Sequence, residues 1–165
     1  MPTASASRTI SASVEELWEV IRDPHHLPRW WPRVQRVEDV DGDAFTEVMF
    51  TAKGKVVRAD FHVVLREDGA HRMCWEQRVR DTPFARLLKS AETELRLQPA
   101  GDGVVNGGEA PSPAAGGEKR AATEVTIELR QSLQGFFPRF GGYLVRRAAL
   151  ATLEGALEGL ERISG

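Results

Sequence analysis

The chain has 165 residues, the length of one ordinary domain, and we expect residues 1–165 to form a single domain. Its 22 Lys and Arg residues nearly balance 24 Asp and Glu residues, so there is no basic footprint for nucleic acid. The single cysteine, Cys74, excludes an internal disulfide and fits a reducing cytoplasm. No apolar run approaches the roughly 18 residues that cross a bilayer, and no secretory leader opens the chain. We therefore predict a cytoplasmic protein without a transmembrane segment.

A first helix is well signalled near the amino terminus. Ser13 and Glu16 have the spacing of a capping box, which satisfies backbone N–H groups of the first turn. Apolar residues then recur at i, i+3, i+4 and i+7, namely Val14, Leu17, Trp18 and Ile21. Asp23 precedes Pro24 and is therefore pushed out of the helical region, which ends the helix. Residues 25–30 are predicted to form a second short turn of helix.

Two turns divide the middle of the chain into antiparallel strands, a tight turn at Lys53-Gly54 and a three-residue turn at 67–69. A third pair of strands flanks residues 99–122. The pattern predicts these cross-strand pairs: Phe50 with Val57, Val48 with Ala59, Thr46 with Phe61, Phe61 with Trp75, Ala59 with Gln77, and Thr93 with Ile127. In this register one face of the sheet is apolar and the other is charged, which is typical of an antiparallel sheet wetted on one side.

The charged face of this register contains a row of three acids, Glu47, Asp60 and Glu76. Like charges on neighbouring strands are unfavourable, although Arg58 and Arg78 nearby offset part of the repulsion. We therefore expect any error in the predicted register to lie in this row.

Residues 99–122 differ in composition from the rest of the chain. They are rich in Gly, Ala and Pro and contain no aromatic residue. Such a segment cannot bury enough apolar surface to pack, so it is predicted to be a flexible loop inserted between two strands of one domain.

The last part of the chain predicts one long helix over Pro138–Ile163. Its apolar stripe consists of Val145, Ala149, Leu153, Ala156, Leu160 and Ile163. Gly155 and Gly159, together with several alanines, make this helix thin, so it either lies very close to the sheet or leaves a void. Phe136, Phe137 and Tyr143 lead into the helix and are candidates either for a cavity entrance or for packing under the first strand.

The order of these elements is a strand, two short helices, many strands and a long helix. It predicts an α+β fold in which a curved antiparallel sheet wraps around the C-terminal helix, the helix-grip arrangement. Such a wrap leaves an apolar pocket between sheet and helix, so the chain is first interpreted as a container for a hydrophobic ligand.

Three segments carry a family resemblance: the helix, Asp-Pro step and Trp-Trp-Pro turn over Val14–Pro32, the strand start Ala122–Val125, and the terminal helix Leu144–Ile163. They resemble the START-like, Bet v 1-like (SRPBCC) superfamily, and in particular its polyketide cyclase/dehydrase and lipid-transport branch. The resemblance implies a ligand cavity between the sheet and the C-terminal helix. It also implies that aromatase/cyclase members place polar and basic groups in that cavity, whereas the inward positions of residues 57–65 are apolar here.

Twelve residues are predicted to line the cavity. Trp30 and Trp31 are interpreted either as a gate that stacks on a flat ligand or as core packing. Gln77 either orients a ligand carbonyl or hydroxyl group or bonds to water and backbone, and Thr93 is the second inward polar residue. The full set is Trp30, Trp31, Phe50, Val57, Ala59, Phe61, Met73, Trp75, Gln77, Thr93, Ile127 and Leu153.

The remaining reactive side chains form no recognisable catalytic or metal site. His25 and His26 lack a further ligand, and strand alternation points His71 and Cys74 to opposite faces. His62 is the one base that the pattern places near Cys74, on the outer face. We expect no metal and no cofactor, and we assign no catalytic residue.

Three functions follow from this interpretation. The first is binding, and by extension transport, of a lipid, polyketide or aromatic metabolite by a monomer or weak homodimer. The second is a polyketide cyclase or dehydratase, which requires a titratable side chain inside the cavity, from Glu47, His62 or Arg146. The third is a co-chaperone-like interaction domain, which requires a filled cavity and an exposed apolar patch.

Overall fold

A computed structural model describes residues 3–51, 53–100, 121–135 and 141–164. The helices and strands are β1 (Thr3–Ile10), α1 (Val14–Ile21), α2 (Leu27–Trp30), β2 (Val34–Asp41), β3 (Ala44–Phe50), β4 (Val56–Glu67), β5 (Arg72–Gln77), β6 (Leu88–Pro99), β7 (Thr123–Leu133) and α3 (Gly141–Ser164). Two short 3-10 segments, Pro24–His26 and Pro83–Arg86, precede α2 and β6.

The seven strands form one antiparallel sheet in the order β1-β7-β6-β5-β4-β3-β2. The first and last strands in sequence therefore lie side by side at one end of the sheet. Helix α3 packs against β1 and against α2. The predicted α+β fold, with two short helices after the first strand and a long helix against a curved sheet, is confirmed. Among the described residues, no helix is both long and apolar enough to cross a membrane.

The first helix forms as predicted. Helix α1 begins after Ser13, whose side chain accepts a hydrogen bond from the backbone N–H of Glu16 at 3.1 Å. The four residues of its predicted apolar face are buried, and the indole N–H of Trp18 donates to Asp68 between β4 and β5 at 2.8 Å. Asp23 has extended backbone angles and ends this segment before Pro24, in agreement with the effect of a following proline.

The predicted register between β3 and β4 is wrong by one residue. Phe50 pairs with Val56 rather than with Val57, and Glu47 pairs with Ala59. The connection is a wider turn than predicted, closed by hydrogen bonds between Thr51 and Lys55, and Ala52 within it lies outside the described residues. Since a one-residue slip exchanges the two faces of a strand, Glu47 points toward α3 and Phe50 lies on the outer face, 40% exposed.

The β4–β5 register is also shifted, but the inward face is preserved. The turn has four residues between Glu67 and Arg72, one more than predicted. Beside the turn the pairing is three residues from the predicted register, with Glu67 opposite Arg72, and a bulge at Val64 reduces the shift to two from Val63 onward. Trp75 therefore pairs with Val63 instead of Phe61, with the same side chains facing the helix.

The β6–β7 register differs by two residues in the same way, with Thr93 opposite Leu129 rather than Ile127. A shift of two leaves every side chain on its predicted face. The ladder continues to a hydrogen bond from the Ala100 N–H to the Ala122 carbonyl at 2.9 Å. Most of the predicted loop at 99–122, residues 101–120, lies outside the described residues.

Helix α3 begins at Gly141, and the predicted start at Pro138, together with Phe136 and Phe137, lies outside the described residues. Two glycines allow it to approach the α2 segment closely. A Cβ at Gly159 would stand 2.2 Å from the carbonyl oxygen of Trp30, and one at Gly155 would stand 2.8 Å from Pro32. The part of α3 that contains these two glycines therefore packs against α2 and Pro32. The close approach that the glycines permit is made to this segment and not to the centre of the sheet.

Candidate ligand-binding cavity

A cavity of about 150 Å³ lies between the centre of the sheet and α3. Strands β3 to β7 supply most of its wall, α3 supplies one residue, and the segment after α2 supplies one. Its lining consists of Trp31, Glu47, Met49, Phe61, Trp75, Gln77, Ala91, Thr93, Leu129, Gln131 and Thr152. Six of these residues are apolar and five are polar, and the polar ones come from four different strands and the helix.

Interlocked aromatic rings form one wall of the cavity. The rings of Trp31 and Trp75 meet edge to face with centroids 5.8 Å apart, and Trp30 supports Trp31 in the same way at 5.4 Å. Phe61 stacks on Phe45 at 5.5 Å. Each ring is held by a second ring, so this wall is preorganised rather than dependent on a ligand for its shape.

Gln77 brings an amide group to the cavity. Its Nε2 atom is buried and has no hydrogen-bond partner among the described residues. A buried N–H group without a partner costs about 1–3 kcal/mol. A ligand oxygen placed in the cavity would therefore be favoured at Gln77.

Glu47 brings a carboxyl group to the same cavity. The residue is 3% exposed, and within the described part of the chain it has neither an ion-pair partner nor a hydrogen-bonded side-chain partner. Burial raises the pKa of its carboxyl group to about 8, because the charged form loses hydration that nothing replaces. Glu47 is therefore mostly protonated at neutral pH, and the described residues that line the cavity include no Arg or Lys.

The cavity approaches the outer surface of the sheet beside Gln77. Strands β5 and β6 pair as far as Glu76 and Glu92, and the next two residues, Gln77 and Ala91, are unpaired with each other. These two residues line both the cavity and an outer groove of about 340 Å³. The cavity and the outer groove thus meet at Gln77 and Ala91.

A sequence model for polyketide cyclase/dehydrase and lipid transport matches residues 1–164. The chain belongs to this family. The family description joins enzymes and lipid carriers on one fold, so membership establishes a ligand-binding scaffold and leaves the ligand open. No curated protein shows significant sequence similarity to the chain.

Solved structures agree on the fold. A START superfamily protein from Mycobacterium smegmatis has a TM-score of 0.70 at 15% identity, over 98% of this chain and 96% of its own. A protein from Thermus thermophilus has a TM-score of 0.66 at 23% identity, over 98% and 95% of the two chains. The di-domain ARO/CYC protein BexL from the BE-7585A biosynthetic pathway has a TM-score of 0.72 at 18% identity. There the match covers 98% of this chain and 46% of BexL. These likenesses establish the architecture alone.

In this member of the polyketide cyclase/dehydrase and lipid-transport family, the predicted lining residues separate into three groups. Five face the cavity: Trp31, Phe61, Trp75, Gln77 and Thr93. Five are buried core residues outside the cavity wall: Trp30, Ala59, Met73, Ile127 and Leu153. Val57 is half-buried and lies away from the cavity. Phe50 faces outward, because the observed pairing of β3 with β4 is one residue from the predicted pairing. Trp30 thus plugs the core beneath Gly159, whereas Trp31 is available to a ligand.

Six lining residues are absent from the predicted set of twelve: Glu47, Met49, Ala91, Leu129, Gln131 and Thr152. In the predicted register Glu47 and Met49 lie on the outer face of β3, whereas the observed register turns both toward the cavity. Thr152 is one position before Leu153 and three after Ala149, so it lies beside the apolar stripe of α3. Helical periodicity alone was sufficient to find Thr152.

The other reactive side chains lie elsewhere. The His25 ring nitrogen contacts Asp23 at 2.8 Å on the surface, and His62 pairs with Glu76 rather than with Cys74. Burial raises the pKa of the Cys74 thiol to about 12, and its Sγ donates to Glu92 at 3.0 Å. A thiol that stays protonated is a poor nucleophile. In the described ranges no group of three or more His, Cys, Asp or Glu side chains is placed to hold a metal ion.

Proposed function

We propose that this protein binds a hydrophobic small molecule in the cavity between the sheet and α3. The observation that carries the proposal is a cavity walled by interlocked aromatic rings, with an unpartnered amide at Gln77. Mostly apolar cavities with a few placed polar groups are the usual form of small-molecule sites. An interaction domain, by contrast, is expected to have its interior filled, and the cavity argues against that alternative.

The size of the cavity favours a ligand with one ring. An apolar cavity of about 150 Å³ is large enough for a benzene ring. Burial of roughly 200 Å² of such a ligand contributes about 5 kcal/mol, before the cost of losing its translational freedom. An aromatic metabolite therefore fits the cavity as it stands, whereas a lipid chain or a long polyketide requires movement of Trp31 or α3.

The test is native mass spectrometry of the freshly purified protein, followed by organic extraction of any bound mass. Ala91→Phe adds a ring inside the cavity, and Ser90→Phe adds the same ring to the outer groove as a matched control. We expect the bound mass, or binding of added isopropylbenzene, to be lost in Ala91→Phe and kept in Ser90→Phe. Wild-type protein that carries no ligand and binds neither isopropylbenzene nor acetophenone would remove the proposal.

A second candidate function is catalysis of the cyclase or dehydratase type. The specific observation in its favour is Glu47, the titratable side chain that this alternative requires inside the cavity. A neutral carboxylic acid in an apolar pocket is suited to donate a proton to a ligand oxygen. We expect the wild type, but not Glu47→Gln, to accelerate deuterium exchange at the methyl group of acetophenone in D₂O. Equal exchange with both proteins and with buffer alone would remove the catalytic candidate.

The proposal includes the assembly and the location of the protein. It is a monomer or a weak homodimer, and it works in the cytoplasm, where Cys74 stays a free thiol. Sedimentation of the full chain at two concentrations tests the assembly, and a tight dimer at both would contradict it. A stable disulfide through Cys74 in protein isolated from its host would contradict the location.

A further inference from the structure

Glu47 is the buried acid that a purely apolar container does not need. The other buried acid of the sheet, Glu94, lies on the outer face and contacts Arg72 at 2.7 Å and Arg96 at 3.2 Å. Glu47 has the same degree of burial, but the described residues bring no basic nitrogen within 4 Å of it. Because no ion pair among the described residues explains its position, we look for the explanation in what the cavity holds.

The chemistry of the neutral carboxyl group limits what it recognises. A protonated carboxylic acid has one O–H donor, whereas an ionised one only accepts. The amide N–H of Gln77 is a second donor in the same cavity without a partner in the described chain. Both groups call for an oxygen acceptor on the ligand, whereas a cationic amine would satisfy neither donor and would require Glu47 to ionise.

The sheet register shows how the two donors are arranged. Glu47 pairs with Ala59 and Gln77 pairs with Phe61, so they lie on opposite sides of β4 and two residues apart along it. Strand spacings of about 4.8 Å across and 3.3 Å along the sheet separate their Cα atoms by roughly 12 Å. A one-ring ligand between them therefore presents one oxygen to Glu47, and its opposite end to Gln77.

We propose that Glu47 is the specificity-determining residue of this cavity and that it selects aromatic ligands bearing a carbonyl oxygen, to which its neutral carboxyl group donates a hydrogen bond. The inference rests on the proposed binding function. It adds that the polar group of the ligand is a carbonyl group. This hydrogen bond requires the carboxyl group of Glu47 to stay protonated in the complex. Ionisation of the carboxyl group therefore removes the preference for a ligand with a carbonyl oxygen.

The experiment uses three probes of nearly equal size: acetophenone, isopropylbenzene and 1-phenylethylamine. They differ in one substituent, which is a carbonyl acceptor, an apolar group or a cation. Dissociation constants are measured by calorimetry with the full chain at pH 6.5 and pH 9.5. We expect wild type at pH 6.5 to bind acetophenone roughly 3- to 10-fold more tightly than isopropylbenzene, the effect of one net hydrogen bond, and to lose this preference at pH 9.5.

Three variants separate the carboxyl group from its surroundings. Glu47→Gln keeps a donor that does not titrate, so it retains the acetophenone preference at both pH values. Glu47→Leu loses the preference and still binds isopropylbenzene. Glu94→Gln, a change in an equally buried acid outside the cavity, leaves both the preference and its pH dependence as in the wild type.

Failure of this proposal differs from failure of the binding function. If both neutral probes bind and Glu47→Leu leaves their ratio unchanged, the binding function stands and the role of Glu47 is wrong. If 1-phenylethylamine is the tightest ligand at pH 6.5, where it is a cation, Glu47 acts as a carboxylate and the carbonyl assignment is wrong. If no probe binds, the binding function and the role of Glu47 fall together.

Discussion

The buried carboxyl group of Glu47 makes a definite prediction about stability and pH. Its pKa is about 8 in the folded chain and close to 4.5 when the chain unfolds. A folded state that holds the proton more tightly has its full stability below pH 4.5 and loses stability as the pH rises through 8. At pH 7 the unfolded state is already ionised, and the difference of about 2.5 units destabilises the fold by about 3 kcal/mol. The loss becomes complete, at about 5 kcal/mol, above pH 8.

Glu47→Gln removes this titration with little change in side-chain volume. Urea unfolding of both proteins at pH 5, 7 and 9 measures the free energy of unfolding. We expect the two proteins to be nearly equal at pH 5 and the Gln variant to be more stable by about 3 kcal/mol at pH 7, with a larger gap at pH 9. Glu94→Gln is the control of opposite sign, because it breaks ion pairs with Arg72 and Arg96 and is expected to be destabilising at pH 7.

A gap between wild type and Glu47→Gln that stays constant from pH 5 to pH 9 would refute this reasoning. It would mean that Glu47 is hydrated or paired in the folded protein, and that its burial does not control its ionisation. If the wild type instead had the larger free energy of unfolding at high pH, the fold would stabilise the carboxylate form of Glu47.

Three further predictions follow from individual contacts. Gly159→Ala places a methyl group 2.2 Å from the Trp30 carbonyl, so we expect at least about 2 kcal/mol of destabilisation in urea, whereas Gly142→Ala, with open space around it, is neutral or stabilising. Equal effects of the two alanines would contradict the close approach of α3 to α2. Gln77→Leu removes an N–H group without a partner among the described residues, so the free energy of unfolding stays equal or rises. Because the acetophenone carbonyl is assigned to Glu47, the probe is 4-hydroxyacetophenone, which carries a second oxygen at its opposite end; its affinity falls in the variant, and unchanged affinity removes Gln77 from the site. Cys74 is expected to react with a maleimide at pH 8 only as fast as the protein unfolds, and fast labelling of the folded protein would contradict its raised pKa.

The fold was predictable because its local signals agree with one another. The capped helix α1 and the Asp-Pro stop carry their own start and end signals, and the long terminal helix carries a continuous apolar stripe. Alternation along β4 to β7 then identified the inward face, even where the pairing was wrong by two residues, because the strand period is two. Placement of Phe61, Trp75, Gln77 and Thr93 in the cavity followed from this face alone.

The most informative residue of the site was not predictable in the same way. Residues 45–50, Phe-Thr-Glu-Val-Met-Phe, contain apolar side chains in both registers, so their pattern does not distinguish the two faces. The length of the turn at 51–55 decides between them, and turn length depends on hydrogen bonds that Thr51 makes with Lys55 rather than on hydrophobicity. One residue in a turn therefore determined whether Glu47 was a surface acid or a cavity acid.

The energetics of β3 show why this register forms despite the buried acid. It places Phe45 against Phe61 in a stack and against Trp75 edge to face, with ring centroids 5.5 and 6.4 Å apart. Full burial of one aromatic side chain contributes about 2–3 kcal/mol, and each ring pair adds about 1 kcal/mol, which together offset the penalty of about 3 kcal/mol at Glu47. The strand therefore tolerates the acid but gains nothing from it in the empty protein. A leucine at position 47 would leave the same stack and a more stable chain at neutral pH, so the stability of the fold alone gives no reason for the carboxyl group. That reason has to be sought in a ligand oxygen.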